Sequence, residues 1–203
     1  MTRKVTVALD AMGGDRGADV VVPAALATLA RDDSVNLILV GREEVLHRAR
    51  EQAGDTYGDR LEFHAASEVV GMDESPVDVL RKKKNSSLRV AIDLVKSGSA
   101  DAVVSAGNTG ALMATAKYVL KTLPGIDRPA IISAVPGVES RTFMLDLGAN
   151  VGCSAQHLFQ FGVMGSVVAA DILDKEQPRI GLLNIGAEDM KGHDVIREAS
   201  DLL

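Results

Sequence analysis

Short apolar runs alternate with helical patterns along almost the whole chain, and this alternation constrains the fold more than any other feature. The apolar runs are Val5 to Leu9, Asn36 to Val40, Leu61 to Ala65, Asp101 to Ser105, Ala130 to Ala134, Thr142 to Leu147 and Arg179 to Asn184. The helical patterns are Asp19 to Ala30, Glu43 to Gln52, Ser87 to Lys96, Thr109 to Lys121, Ala155 to Leu173 and His193 to the last residues. Most runs are apolar almost throughout, as expected of strands covered on both faces. The sequence therefore predicts an α/β fold in which a mostly parallel sheet has helices on both faces.

Composition excludes several functional classes. The formal net charge of −6, with 3% aromatic residues and no tryptophan, weighs against a general nucleic-acid binder. A single cysteine excludes an internal disulfide and suits a reducing compartment. The first apolar run ends at Asp10, too early for a signal peptide, and no apolar stretch approaches membrane-spanning length. We expect a soluble, cytoplasmic protein.

Glycine-bearing polar turns follow four of the predicted strands. They are DAMGGD (Asp10 to Asp15), SAGNTG (Ser105 to Gly110), DLGAN (Asp146 to Asn150) and NIGAEDMKG (Asn184 to Gly192). The carboxyl ends of parallel strands form the ligand crevice of open α/β sheets, so we expect the four turns to form one shared site. Glycine lets a backbone approach a ligand, and the helix after SAGNTG offers unpaired amides. This turn predicts an anion cradle, against the alternative of a tight turn without a ligand.

Several common motifs are absent from the sequence. No G-x-x-x-x-G-K-[ST] occurs, which weighs against a P-loop ATPase, and GGDRGA after the first run is not G-x-G-x-x-G. The four histidines lack zinc-ligand spacing. Cys153 and His157 could share a helical face, but a small buried thiol near a partly exposed histidine is favoured over a metal or nucleophilic pair. We predict no metal and no cofactor.

A basic run gives this acidic chain its strongest local contrast of charge. Its members are Arg81, Lys82, Lys83 and Lys84. Ser86 or Ser87 can cap the helix that follows. Two interpretations remain open, a solvated loop before a helix and a patch that docks a partner or attracts phosphate.

Six longer stretches together resemble the bacterial phosphate acyltransferase family of phospholipid synthesis. They are ALDAMGGD, ESPVDVLRKKKNSSL, ADAVVSAGNTGALMATA, GIDRPAI, LDLGANVGCSAQHLFQFGVMGSV and PRIGLLNIGAEDMKG, in colinear order. The resemblance implies a fold related to phosphotransacetylases and isopropylmalate dehydrogenases. It also implies that residues 1–203 are one incomplete phosphate acyltransferase domain, without the C-terminal third of the family chain. Gly152 stands where the family usually has Asp, and Ala187 where it often has Glu, so a charge role at those positions does not carry over.

The resemblance implies reversible transfer of a fatty acyl group from acyl-acyl carrier protein to inorganic phosphate. A membrane acyltransferase would then pass the acyl group of the acyl phosphate to glycerol 3-phosphate. Family members are homodimers that touch the membrane only peripherally, which places this chain in the cytoplasm, at the inner membrane face. Acyl carrier protein is strongly acidic, so the basic run gains a docking role by charge complementarity.

The motifs assign roles in this reaction to residues of the four turns. Asn108, Asn184 and Lys191 are expected to be catalytic, with Lys191 supplying a positive charge to the phosphate. The candidate substrate-binding residues are Asp10, Gly13, Gly14, Ser105, Gly107, Thr109, Gly110, Asn150 and Gly186. We expect Asn108→Ala to lower turnover about a hundredfold with little effect on folding.

Two other functions remain open at this point. One is an enzyme of similar shape, such as a phosphotransacetylase that uses acyl-CoA or a decarboxylating dehydrogenase. The absence of G-x-G-x-x-G and of a metal–carboxylate cluster counts against the dehydrogenase. The other is a shortened, non-catalytic relative, for which the length of the chain is the only support.

Overall fold

In the computed structural model, residues 4–138, 140–174, 176–186 and 193–203 are described. The chain divides into two compact units, Met1–Lys121 and Thr122–Leu203. Among the described residues, no helix combines the length and the apolarity needed to cross a bilayer.

The first unit is an α/β unit. Its strands are β1 (Val5–Asp10), β2 (Val35–Gly41), β3 (Leu61–Ala65) and β4 (Ala102–Val104). Its helices are α1 (Ala18–Arg31), α2 (Glu43–Ala53), α3 (Pro76–Lys82), α4 (Ser87–Ser97) and α5 (Thr109–Leu120), with a 3-10 turn at Gly58–Arg60. The strands form one parallel sheet in the order β3-β2-β1-β4.

Strand β2 is covered on both faces because its successive side chains alternate between the two sides of the sheet. Leu39 packs in one cluster with Leu29 of α1 and Leu46 of α2. The next residue, Val40, belongs to a second cluster with Ala91 of α4. Helices therefore lie on both faces of a parallel sheet, which confirms the predicted fold class.

Helices α3, α4 and α5 pack on one another through a third apolar cluster. Its buried members include Val79 of α3, Leu88 and Ile92 of α4, and Ala111 and Val119 of α5. The side chain of Ser86 caps α4 by accepting a hydrogen bond from the Arg89 amide at 3.3 Å. These three helices thus form one layer, called here the basic helical layer (residues 76–121 without β4) because of the charges described below.

The second unit contains β5 (Ser133–Pro136), β6 (Arg141–Met144), α6 (Ala155–Leu173) and α7 (Asp194–Leu202). Strands β5 and β6 pair antiparallel, with Ala134 opposite Phe143. Helix α6 begins with a capping box, in which Ser154 and His157 each accept a hydrogen bond from the amide of the other. His157 therefore stabilises the start of α6.

Three of the predicted elements differ from the structure. The strand predicted from Ala130 to Ala134 overlaps β5 only at Ser133 and Ala134. The first part of the basic run is not a loop, because Pro76–Lys82 forms α3 with proline at the start, where its missing N–H costs nothing. The predicted strand from Arg179 to Asn184 is wrong, since those residues form no strand in the described part of the chain. Leu183 is 83% exposed. A strand needs a neighbouring strand to satisfy its backbone N–H and C=O groups, and an apolar run alone does not supply one.

Candidate functional site

The order of the strands places a ligand crevice beside β1. The chain passes from β1 to β2, which pairs with one edge of β1. Strand β4 comes later in the chain and pairs with the other edge of β1. Open α/β sheets bind ligands at such a switch of direction, outside the carboxyl ends of the strands. The turns that follow β1 and β4, DAMGGD and SAGNTG, both begin at this point.

A chain of hydrogen bonds joins these two turns. The buried carboxylate of Asp10 accepts a hydrogen bond from Ser105 Oγ at 2.7 Å, and its second oxygen accepts one from the Met12 amide at 3.1 Å. Ser105 Oγ in turn accepts a hydrogen bond from the Gly107 amide at 3.1 Å. Successive hydrogen bonds polarise and strengthen one another in a site of low dielectric constant. Asp10 and Ser105 therefore hold the two turns in a fixed relation.

Glycine allows the same two turns to touch through their backbones. A Cβ on Gly13 would lie 2.8 Å from both the Gly107 nitrogen and Ser105 Oγ. A Cβ on Gly107 would lie 3.3 Å from the Gly13 Cα, and Gly14 lies against Ala106. The structure accordingly explains Gly13 and Gly107 by the packing of turn against turn.

The side chain of Asn108 is engaged at both ends. Its Oδ1 accepts a hydrogen bond from the Ala111 amide at 2.9 Å and so caps α5. Its Nδ2 lies 3.3, 3.0 and 2.9 Å from the carbonyl oxygens of Gly71, Met72 and Glu74. The segment of residues 71–74, called here the strap, is thereby held beside the start of α5. The structure directs the amide donors of Asn108 to the strap, and its predicted action on the substrate stays a prediction.

A half-buried ion pair anchors the strap. Lys83 Nζ contacts Glu74 Oε1 and the Val69 carbonyl, and Glu74 Oε1 also accepts a hydrogen bond from the Gly71 amide at 2.7 Å. The hydrogen bond from Lys83, and then that from Gly71, lower the pKa of the Glu74 carboxyl. Because the ammonium of Lys83 is turned toward the strap, we remove this residue from the predicted docking set.

Two amides remain at the start of α5 for the predicted anion. The first amides of a helix have no carbonyl partner within the helix. Thr109 and Gly110 occupy these positions and are exposed. The Gly107 amide is bonded to Ser105, so the anion prediction for this turn depends on Thr109 and Gly110.

The DLGAN turn is held within the second unit. Asp146 accepts hydrogen bonds from the amides of Ile131 at 2.8 Å and Asn150 at 2.7 Å. Asn150 Nδ2 donates to the Pro129 carbonyl at 2.9 Å. Asn150 therefore ties its turn to the segment before β5, and its role in binding substrate stays a prediction.

The last turn is described only in part. Asn184 Oδ1 accepts a hydrogen bond from the Ile185 amide at 2.9 Å, and Gly186 is half-buried. Lys191 lies outside the described residues, as does Ala187. Their predicted roles, and that of Asn184 in catalysis, stay predictions. The structure brings together the two turns of the first unit. In the second unit β6 belongs to an antiparallel hairpin, and in the described residues no strand leads directly into Asn184.

The remaining basic residues of the run are exposed. Lys82 pairs with Asp78 one turn earlier in α3, at 2.7 Å. Arg81 lies in the last turn of the same helix, and Lys84 lies two residues after its end. The hydrogen bond between Lys82 and Asp78 raises the pKa of the ammonium and lowers that of the carboxyl. Within the described ranges, no group of three or more His, Cys, Asp or Glu side chains is placed to hold a metal ion.

Sequence reasoning missed the strap and α3, although a signal for α3 was present. Ser75 followed by Pro76 is a typical helix start, and Val79 lies at helical spacing from the buried residues that follow. The contact between Asn108 and residues 71–74 had no such signal, because it joins positions more than 30 residues apart.

A parallel α/β sheet with two packed polar turns at its switch point defines a ligand-binding fold of the doubly wound class. The chain belongs to the fatty acid synthesis protein family, whose sequence profile matches residues 5–203.

Named relatives agree with this assignment, and a solved structure shares the fold. The chain is 61% identical to a phosphate acyltransferase of Alkalilimnicola ehrlichii, over 100% of this chain and 59% of that protein. It is 59% identical to the phosphate acyltransferase of Methylococcus capsulatus, over 98% of this chain and 58% of that protein. The chain thus spans about three-fifths of the length of these curated relatives. The EutD phosphotransacetylase from Staphylococcus aureus shares the fold, with a TM-score of 0.66 and 23% identity, over 98% of this chain and 63% of that one.

Proposed function

We propose that the protein is a phosphate acyltransferase, which transfers a fatty acyl group from acyl-acyl carrier protein to inorganic phosphate. The family assignment and the name shared by its relatives support the reaction class. The structural observation that carries the proposal is the pair of packed turns at the switch point, with the exposed first amides of α5 beside them.

The reaction needs no nucleophilic side chain, because phosphate is itself the nucleophile. An oxygen of phosphate attacks the thioester carbonyl carbon, so a C–O bond forms and the carbonyl oxygen becomes an oxyanion. When the tetrahedral intermediate collapses, the C–S bond breaks and the sulfur leaves with the electron pair. The carrier thiolate then takes a proton, and the product is an acyl phosphate. The protein must hold an anion in line with the carbonyl and stabilise the oxyanion.

In this proposal the residues of the first unit hold the anion and keep its site rigid. The amides of Thr109 and Gly110, at the positive end of the α5 dipole, donate to phosphate or to the oxyanion. Asp10 and Ser105 fix the turn from which these amides project. Asn108 keeps the strap in place and acts as a positioning residue.

We also propose roles for residues of the later turns, in the second unit. Asn184 orients a substrate, Lys191 neutralises phosphate, and Asn150 with Gly186 lines the binding region. We also propose that the protein is a homodimer in the cytoplasm that touches the membrane peripherally. There it would pass acyl phosphate to a membrane glycerol-3-phosphate acyltransferase.

Phosphate-dependent release of the carrier thiol tests the proposal directly. The purified protein is mixed with dodecanoyl-acyl carrier protein, with and without inorganic phosphate, and both free thiol and acyl phosphate are measured. We expect the two products to appear together, only with phosphate, and in equal amounts. Thiol release without acyl phosphate would indicate a thioesterase and overturn the proposal.

Dodecanoyl-CoA is the matched control substrate. Faster turnover of the CoA thioester would favour an acyl-CoA phosphotransacetylase, the alternative that shares this fold. Absence of acyl phosphate with either thioester would favour a non-catalytic relative.

A further inference from the structure

Basic charge is concentrated in one part of this acidic protein. Residues 76–121 contain eight Lys and Arg and three Asp, a net charge of +5, whereas the whole chain carries −6. These residues supply α3, α4 and α5, which pack on one another through a shared apolar cluster. The positive charge therefore belongs to one structural layer, the basic helical layer defined above.

An exposed tyrosine lies among the cations of this layer. Tyr118, near the end of α5, is 58% exposed. The guanidinium of Arg89 lies 5.7 Å from the centre of its ring, and the ammonium of Lys121 lies 4.8 Å from it. Arg89 is itself fixed by Asp93, with Nε 2.9 Å from the carboxylate. Tyr118 is thus an exposed aromatic ring with two cations beside it, of which Arg89 is held in place by Asp93.

Such an arrangement suits the centre of a protein interface. Tyrosine and arginine are enriched among the residues that carry binding energy, and Tyr118 offers a large contact area with few rotatable bonds. The attraction of the two cations to the ring reduces the side-chain entropy that a partner would otherwise have to remove. Arg81 and Lys84 add exposed positive charge where α3 leads into α4.

We infer that the basic helical layer is the docking surface for an acidic protein, with Tyr118, Arg89 and Lys121 as its anchor. The inference rests on the proposed function, in which the acyl donor is attached to an acidic carrier protein. It replaces the simple basic run with a surface formed by three helices, from which Lys83 is excluded by its contact with Glu74.

The carboxylates within the layer favour a folded protein over an anionic membrane. Asp78 lies beside Lys82, and Asp93 lies beside Arg89. An anionic membrane would bring its headgroup phosphates against these carboxylates as well as against the cations. The negative phosphates and carboxylates would then repel one another. A folded partner can place its own carboxylates only where the cations are, which is how complementary charges select a partner.

Binding of the carrier protein without its prosthetic group isolates docking from chemistry. Fluorescently labelled apo-acyl carrier protein is titrated with the full 203-residue chain at about 50 mM salt, where charge steering is weakly screened. We expect Arg81→Glu/Lys84→Glu to weaken binding at least about tenfold and Tyr118→Ala about fivefold. Tyr118→Phe keeps the ring face and is expected to bind within about twofold of the parent.

The matched control is Arg48→Glu, the same reversal of charge at an exposed position of α2. It is expected to bind within about twofold of the parent, because α2 lies outside the basic layer. Melting of each variant, followed by circular dichroism, shows that the protein remains folded.

Any one of three binding results would overturn the inference. One is no binding of the apo-carrier by the parent, and another is equal binding by the parent, the Tyr118→Ala variant and the double charge reversal. The third is capture by vesicles rich in phosphatidylglycerol that the apo-carrier does not compete for. Acyl phosphate formation is measured separately. If the docking variants turn over substrate with an unchanged KM for the carrier protein, the docking surface is wrong and the proposed function stands. If the carrier protein docks but no acyl phosphate forms, the proposed function is wrong and the docking surface stands.

Discussion

Ser105 Oγ donates a hydrogen bond of 2.7 Å to the buried carboxylate of Asp10, which lies 95 residues earlier in the sequence. This contact joins the turn after the central strand β1 to the turn after the edge strand β4. Because Ser105 also accepts from the Gly107 amide, one hydroxyl satisfies a buried carboxylate and a backbone donor at the same time.

Ser105→Ala should therefore destabilise the first unit. The substitution leaves the Asp10 carboxylate without its hydroxyl donor and the Gly107 amide without its acceptor, and we expect a loss of about 1–3 kcal/mol. Urea denaturation followed by circular dichroism measures the change. Ser99→Ala is the control, since Ser99 is exposed, and its midpoint should be unchanged.

Gly13→Ala tests the backbone contact between the same two turns. The new methyl would lie 2.8 Å from the Gly107 nitrogen, so the turns must separate, and overpacking of this kind costs about 1–3 kcal/mol. Thermal melting is the measurement. Gly181→Ala, where a Cβ would meet nothing within 4 Å, should melt close to the parent, and equal losses in both variants would contradict the predicted contact.

Asn108→Ala should lower stability as well as any activity, contrary to the expectation from sequence. The variant removes the cap of α5 and the donor to three strap carbonyls, which together amount to about 2 kcal/mol. Asn108→Asp keeps an oxygen for the Ala111 amide but sets a carboxylate against the strap carbonyls. It should therefore be no more stable than Asn108→Ala. A fully stable alanine variant would show that the strap does not depend on Asn108.

The Glu74–Lys83 pair predicts a dependence of stability on pH. The pKa of Glu74 is lowered from its ordinary value of 4.5, first by the hydrogen bond from Lys83. The stabilisation is therefore complete above that ordinary value and is lost as the pH falls through the lowered pKa. Glu74→Gln resembles the protonated acid, so its melting temperature should lie below that of the parent at neutral pH. The gap should shrink below pH 4.5; a constant gap would count against the pair.

The pattern of the sequence predicted the first unit well, because each strand of its sheet overlaps a run read as a strand and each long helix has its own periodicity. The prediction for Ala155 to Leu173 matches α6 at both ends, since Ser154 provides a cap. Strand pairing is less local. Nothing in the run from Arg179 to Asn184 indicates that it forms no strand. Likewise, nothing in the sequences of β5 and β6 indicates that they pair antiparallel.

The candidate site was predictable in its position and less so in its contacts. Glycine and polar residues after β1 and β4 indicated the crevice, because the carboxyl ends of parallel strands share one edge. Residue type alone did not show whether Asn108 and Lys83 serve a ligand or the fold. That distinction depends on the strap, whose carbonyls and carboxylate reach both side chains from a distant part of the sequence.

The position of β1 in the sheet also sets an order of events during synthesis of the protein. Strand β1 pairs with β2, about 30 residues later, but its other edge waits for β4, with which Leu9 pairs through Val104. Closing the longer loop costs about 1 kcal/mol more in chain entropy than closing the shorter one. During synthesis one edge of β1 therefore stays unpaired and can pair with a wrong strand. The Asp10 carboxylate meanwhile lacks the hydrogen bond from Ser105. The two halves of the crevice meet only after the ribosome has delivered four strands, so a nascent chain that stalls earlier holds half of a site.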